Sequence, residues 1–343
     1  MSQQQSVLYD APGPRARRVT LIVSVLSAVA AVIAGYFLVY RPLAEREQFT
    51  MEKWGPLIDP GNEVFGQVWT LLGEGVTATL TAAGLAIVLS LLFGTALAVL
   101  RIQLKALLRR RFTGLATSFA LALRALSWLL NLVTRFCVEV FRGLPVVITI
   151  FFVARGLPDL GVEIVLPFGH EMLPYLVLGL TIYNGVVIAE ILRSGMEGLP
   201  SGQRESAAAI GLTSFQTTRM ILLPQAFRIM LPALISQLIV VLKDTSLGFI
   251  IGYQETLLVG RTIIQNLRNP IQVYLVIGVL FIAVNYALSK LAESVQRRLA
   301  QGRRTSTAAQ PPTPPPASTL AGQQTGAGTG GSATTGTATS DTA

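Results

Sequence analysis

The chain has 343 residues, 51% of them hydrophobic and only 13% charged, with a formal net charge of +9. A soluble domain carries roughly a quarter charged residues, and a globule of this size has no room to bury so much hydrocarbon. The composition is that of an integral membrane protein whose solvent is lipid. One cysteine, Cys137, excludes an intramolecular disulfide, and one histidine, His170, excludes a Cys/His zinc cluster. The basic excess reads as charge on the cytoplasmic side of a membrane, not as a nucleic-acid footprint.

The first predicted span is Leu21–Tyr40, twenty residues without a charge. That is enough helix to cross about 30 Å of hydrocarbon. Arg15, Arg17 and Arg18 precede it and place the N-terminus inside. The second span is Val76–Leu100. Arg101, Lys105, Arg109, Arg110, Arg111 and Arg124 follow it, the strongest positive-inside signal in the chain. The stretch 104–126 reads either as a basic amphipathic helix on the headgroups or as a solvated linker. A third apolar segment runs from Leu144 to Val153 and toward Leu157, after a Gly143-Leu144-Pro145 break. Leu173–Leu192, Ile229–Ile251 and Ile271–Leu288 complete six predicted spans, with both termini inside. Arg261 and Arg268 fit that scheme poorly, because they fall in a nominally external hairpin. Residues after Arg304 are Pro-rich, then Gly/Thr/Ala-rich, and hold too little apolar mass to fold.

A transporter needs an energy source. The four lysines are Lys53, Lys105, Lys243 and Lys290, and none follows a glycine, so the chain lacks a P-loop. The only clear ionisable pair within a span is Lys243-Asp244, adjacent residues expected to compensate each other. Two classes remain: an ATP-independent channel or secondary carrier, or a subunit whose motor is a separate chain.

The loop between spans four and five bears on this choice. Pro200 and Ser201 suit a helix start, Glu205 to Ile210 reads as a short helix with an alanine surface, and Gly211 suits a left-handed end. Thr213 and Gln216 have capping-box spacing, so a second helix is expected there, broken at Pro224.

Glu205-Ser-Ala-x-x-x-Gly211, nine residues, then Ile221-x-Leu223-Pro224 resembles the EAA loop of ATP-binding-cassette importer permeases, with Ser206 in place of the usual first alanine. Phe141-Arg142-Gly143-x-Pro145, Ala189-Glu190-Ile191-x-Arg193-x-Gly195, Pro200-x-Gly202-Gln203, Leu223-Pro224-Gln225-Ala226-x-Arg228 and Leu242-Lys243-Asp244-Thr245-Ser246-Leu247 are similar to blocks of the polar-amino-acid branch, the permeases for histidine, glutamine, glutamate and arginine. The resemblance covers about 70–296. The extra N-terminal span and the long tail resemble those of actinobacterial glutamate permeases.

The resemblance implies an all-α integral membrane protein with a type I importer permease fold, a five-helix core plus one extra N-terminal helix. The expected segments are a cytoplasmic N-terminus 1–19, the extra helix 20–41, an external segment 42–69, the permease domain 70–299 with a coupling loop 197–225, and a disordered cytoplasmic tail 300–343. It implies that Glu205, Ser206, Ala207, Ala208, Gly211 and Pro224 couple to an ATPase dimer, which holds ATP and Mg, so that this chain is not itself an enzyme. It implies a second permease subunit, identical or homologous, and an external amino-acid-binding protein, with no nucleic acid. The cargo expected is a polar amino acid, glutamate or glutamine favoured. Asn184, Asp244, Thr245, Ser246 and Arg142 are the pocket candidates. Each has a structural alternative: a helix–helix hydrogen bond for Asn184, a break in span five for 244–246, and snorkelling to headgroups for Arg142. Gly248 and Gly252 have the spacing of close helix packing. His170 has no role assigned.

Overall fold

The computed structural model describes residues 13–109 and 117–301. Among these, all regular structure is helical: α1 (Pro14–Gly35), a π turn at Tyr36–Tyr40, α2 (Arg41–Glu45), α3 (Met51–Ile58), α4 (Phe65–Arg109), α5 (Thr117–Gly143), α6 (Val146–Asp159), α7 (Leu173–Glu197), α8 (Gly202–Ala209), α9 (Ser214–Thr217), a second π turn at Thr218–Leu222, α10 (Leu223–Asp244), a 3₁₀ segment at Thr245–Ile251, α11 (Thr256–Leu267) and α12 (Pro270–Gln301). The N-terminal residues 1–12 and nearly all of the tail lie outside the described residues.

Among the described residues, six helical stretches are long and apolar enough to cross a membrane: Pro14–Glu45, Phe65–Arg109, Leu121–Gly143, Leu173–Glu197, Ser214–Ile251 and Pro270–Ser294. The third differs from the sequence expectation of 144–157, which here is α6. Fourteen residues rise only about 21 Å, short of the hydrocarbon thickness. The third membrane-length helix is therefore within α5, and the shorter α6 follows it, with Pro145 at the N-cap of α6. The stretch 104–126 is also revised: α4 stays helical to Arg109 and α5 starts at Thr117, with 110–116 outside the described residues. At 45 residues α4 is about 67 Å long, far more than a bilayer needs.

The core is organised on α4 and α7, which lie side by side and run the same way. Ala82 and Ala86 pack with Leu176 and Leu180, and further along Ala98 packs with Ile188 and Leu192. The buried face of α4 reads Gly75, Thr79, Ala82, Ala83, Ala86, Ser90, Gly94 and Ala98, small residues at every third or fourth position. In lipid, where no hydrophobic gain drives helices together, such a face lets backbones approach for dispersion contact. The backbones come close at Gly94, where a Cβ would stand 2.7 Å from the Gly185 carbonyl oxygen. α10 runs back against the pair, adding Leu234 to one cluster and Val241 to the other. A third cluster joins Val68 and Leu72 to Leu57, Ile263, Val273 and Ile277. Beside it, side-chain bonds pin the α2–α3 region: Asn269 donates to the Lys53 carbonyl at 3.0 Å and Gln272 to the Gln48 carbonyl at 2.6 Å. α1 takes no part in this core, and each of its residues except Gly35 is exposed.

α11 leans on α4 at Gly75, where a Cβ would meet the Thr256 Cα at 3.0 Å, and the Thr79 and Thr256 hydroxyls are 2.7 Å apart. Glu255, fully buried, caps α11: its carboxylate oxygens accept from the Leu257 and Leu258 backbone N–H groups, each at 2.9 Å. Arg268 closes the helix in the left-handed conformation at φ 53°. A cation at a helix C-terminus is favourable, which accounts for one of the two arginines that fit the topology poorly.

Gly94→Ala is expected to cost about 1–3 kcal/mol, the usual range for overpacking, because the obstructing atom is a backbone carbonyl. Gly84→Ala, at a position with no neighbour within 4 Å, is the control, and detergent-stability midpoints of the purified variants compare the two. Burial pushes the Glu255 carboxyl from 4.5 up to about 7, against the two N–H groups that lower it. The folded form then holds the proton more tightly than the unfolded chain. The stabilising contribution is full below pH 4.5 and is lost as pH rises through about 7. Midpoints measured across that window should fall with pH in the native chain and stay flat in Glu255→Gln.

Candidate functional site

The loop joining α7 to α10 is built by local rules. α8 starts at Gly202, three residues earlier than expected, and ends at Ala209. Gly211 stands at φ 81°, its N–H donating to the Ala208 carbonyl while the Leu212 N–H donates to Ala207. That is a Schellman ending, and it needs the left-handed glycine. The Thr213–Gln216 capping box is formed in both directions. Pro224 behaves otherwise than expected. The chain remains helical through it, because the π turn Thr218–Leu222 re-registers the hydrogen bonds, with Leu223 N–H reaching the Thr218 carbonyl, and leaves the proline in the first turn of α10.

Glu205, Ser206, Ala208 and Gly211 are exposed, whereas Ala207 is buried and anchors α8 inward. Ala207 is therefore not on the outer surface with its neighbours. Next to them Ile210 and Phe215 are 74% and 52% exposed. These two apolar side chains project from a polar loop, a docking feature that sequence reading did not single out. Behind α8 lies a groove of about 530 Å³ between Ile102–Arg109 of α4 and Arg204, Ala208 and Leu212 of the loop.

A ring of charges sits where α4 and α7 approach this loop. Arg101 and Arg193 both donate to Glu190, Arg193 also donates to Glu197, and Lys105 reaches Glu197 at 2.8 Å. Sequence reading noted Glu190 and Arg193 as a motif but not their partners on α4. The only signal was the run of basic residues after Leu100.

Toward the middle of α7, Asn184 is fully buried. Its amide N–H donates to the Leu180 carbonyl at 3.1 Å, and its oxygen accepts from Gln237 of α10 at 2.7 Å. The Asp244 carboxylate lies beside the Asn184 amide, and its Oδ2 is buried without a hydrogen-bond partner. Asn184 and Asp244 are thus brought together, with Gln237 as an unforeseen third member. The other pocket candidates are arranged differently. Thr245 is fully buried with its hydroxyl donating to the Leu242 carbonyl, Ser246 donates to the Lys243 carbonyl, and Arg142 is exposed at the end of α5. Lys243 and Asp244 are not among the ion pairs formed by the described residues, because successive helical residues point about 100° apart. Gly248 packs against Leu176 and Tyr253, while Gly252 serves a left-handed turn at φ 83°.

At the opposite end from α8, a second groove of about 830 Å³ is lined by Glu74, Thr77 and Thr81 of α4 together with His170, Tyr253 and Gln254. His170 has a structural role there: its Nδ1 accepts from the Met172 N–H at 3.2 Å, ahead of α7.

Residues 113–301 match the family described as "Binding-protein-dependent transport system inner membrane component". The chain is 37% identical over 262 residues to the glutamate transport system permease protein GluD of Corynebacterium glutamicum, covering 76% of this chain and 85% of that one. It is 32% identical over 232 residues to the probable glutamine ABC transporter permease protein GlnP of Bacillus subtilis, covering 66% and 93%. Among solved structures, an amino acid ABC transporter crystallised with histidines shares the fold, with a TM-score of 0.53 at 24% identity over 68% of this chain and 96% of that one. With six membrane-length helices and this family match, the chain is a multi-pass membrane protein belonging to the binding-protein-dependent transport system inner membrane components.

Proposed function

We propose that this chain is the permease subunit of an ATP-driven importer for a polar amino acid, glutamate or glutamine. The observation that carries this reading is the loop after α7: a short helix with Glu205, Ser206 and Ala208 outward, a left-handed Gly211, and two projecting apolar side chains at Ile210 and Phe215. A surface of that shape fits a cleft in a separate ATPase dimer, which binds ATP and Mg and hydrolyses the nucleotide. The substrate names of GluD and GlnP support the choice of cargo.

The remaining parts follow. A second permease subunit completes the translocation path, and an external binding protein delivers the amino acid. Both termini are cytoplasmic, as the arginines before α1 and after Leu100 favour. Nucleotide-driven closure moves the 197–225 loops together, and the displacement reaches the spans through α7 and α10. Asp244, whose free Oδ2 is buried beside Asn184, receives the ammonium group of the amino acid, and Gln237 holds the Asn184 amide in place. Thr245 supports this site as the helix end and makes no substrate contact.

Uptake of radiolabelled glutamate, glutamine, arginine and histidine, in cells with and without the chain and before and after ATP depletion, tests the reading. ATP-dependent loss of glutamate or glutamine uptake in the deletion strain is expected, and uptake driven by an ion gradient alone would defeat it. Asp244→Asn should lower uptake at least about tenfold while the ATPase still co-purifies, the loss expected when a charge-assisted bond to substrate goes. Gly211→Asp should abolish uptake with the chain still in the membrane, since only the loop ending is altered.

A further inference from the structure

α8 is mounted on the transmembrane helices by few contacts. The groove of about 530 Å³ keeps α8 off the flank of α4. Arg204 donates to the carbonyl of Met196, in the last turn of α7, at 2.9 Å. Gln225, in the first turn of α10, donates to Gln203 at 3.3 Å. α4 reaches the loop further on, through Gln103, which donates to the Thr218 hydroxyl at 2.9 Å. A displacement of α8 therefore enters at the end of α7 and the start of α10. Whether α4 follows depends on what ties α7 to α4 at that level.

The small-residue seam between the two helices has its last tight contacts near Gly94 and Ala98. Beyond it, Ile102 still packs against the cluster that holds Met196, and the polar tie is the charge ring. Its centre is Glu190, which accepts from Arg101 across the helix interface and from the Arg193 Nε at 3.0 Å and Nη2 on its own helix. Arg193 passes the connection to Glu197 and so to Lys105, one turn further along α4. Solvent reaches this ring unevenly: Arg101 is 13% exposed and Glu190 23%, while Lys105 is 52% exposed. The inner pair is the stronger tie, because an exposed pair is screened and contributes little. Removing the Glu190 charge leaves Arg101 with no anion and facing Arg193, which keeps only Glu197, so the inner tie between the two helix ends is lost.

We propose that Glu190 is a positioning residue for energy coupling: by holding Arg101 and Arg193 together it makes the cytoplasmic ends of α4 and α7 a single rigid arm, so that a displacement of α8 moves both. The inference rests on reading 197–225 as the ATPase-coupling loop, and the test separates the two.

Two measurements are made on the complete complex of permease, ATPase and binding protein in proteoliposomes, with glutamate and glutamine as probes. The first is amino acid taken up per ATP hydrolysed. In Glu190→Gln this ratio is expected to fall about tenfold while ATP hydrolysis continues and the subunits co-purify, a loss scaled down for a partly solvated pair. The second is the distance distribution between spin labels at Leu107→Cys on α4 and Ser194→Cys on α7, with Cys137→Ser in the background. Glu190→Gln is expected to broaden it. A rescue arm uses Arg101→Cys with Glu190→Cys: bridging the two thiols with a bifunctional reagent should restore the ratio, since a tie is what is needed and not a charge. An unchanged ratio, an unchanged distance distribution, or a bridge that restores nothing overturns the inference. Absence of ATP-driven uptake by the native complex would instead overturn the importer reading, and the spin-label distances would still decide the clamp.

Discussion

The rest of this fold depends on how closely α4 and α7 approach. In lipid, two helices gain nothing by hiding apolar surface, so they associate only as far as their side chains let the backbones meet. The spacing of Gly75, Ala82, Ala86, Gly94 and Ala98 provides that approach on one side, and Gly185 provides it on the other. α10 then has a two-helix platform to lie against, and α11 finds its seat at Gly75. Polar ties to other elements are added at the ends of the seam and within it at Asn184, which bridges to α10.

Much of this was legible in sequence. Long uncharged runs and flanking arginines locate the spans, because the energetic requirement for crossing hydrocarbon is severe and local. The α8 loop was legible for a related reason: Gly211 and the Thr213–Gln216 pair act within a few residues of themselves. What stayed hidden was non-local or depended on a choice among hydrogen-bond registers. Proline usually ends a helix, but at Pro224 a π turn lets the chain continue, and nothing in the residue types announces which outcome holds. The third passage was misplaced because α5 is amphipathic and carries Arg124 and Arg135, so it does not read as an apolar run.

The candidate pocket shows the same division. Asn184 and Asp244 are sixty residues apart in the chain and were singled out separately, each as a polar group in an apolar run. Their juxtaposition, and the part played by Gln237, required the packing of α10 on α7. Ala207 shows the limit from the other side: the motif marks it with its neighbours, but its burial follows from the rotation of α8, which a motif does not encode.

α8 has only eight residues, and a helix that short has no stability of its own in water. It exists because its first turn is fastened twice, Arg204 to the close of α7 and Gln203 to the start of α10, and because Ala207 is buried. From the loop both helices extend the same way, side by side, and their far ends, Leu173 and Val241, sit in one cluster. A load on α8 is therefore delivered to two packed helices at once, and any tilt it gives them reaches the opposite face of the membrane as a single movement of that cluster.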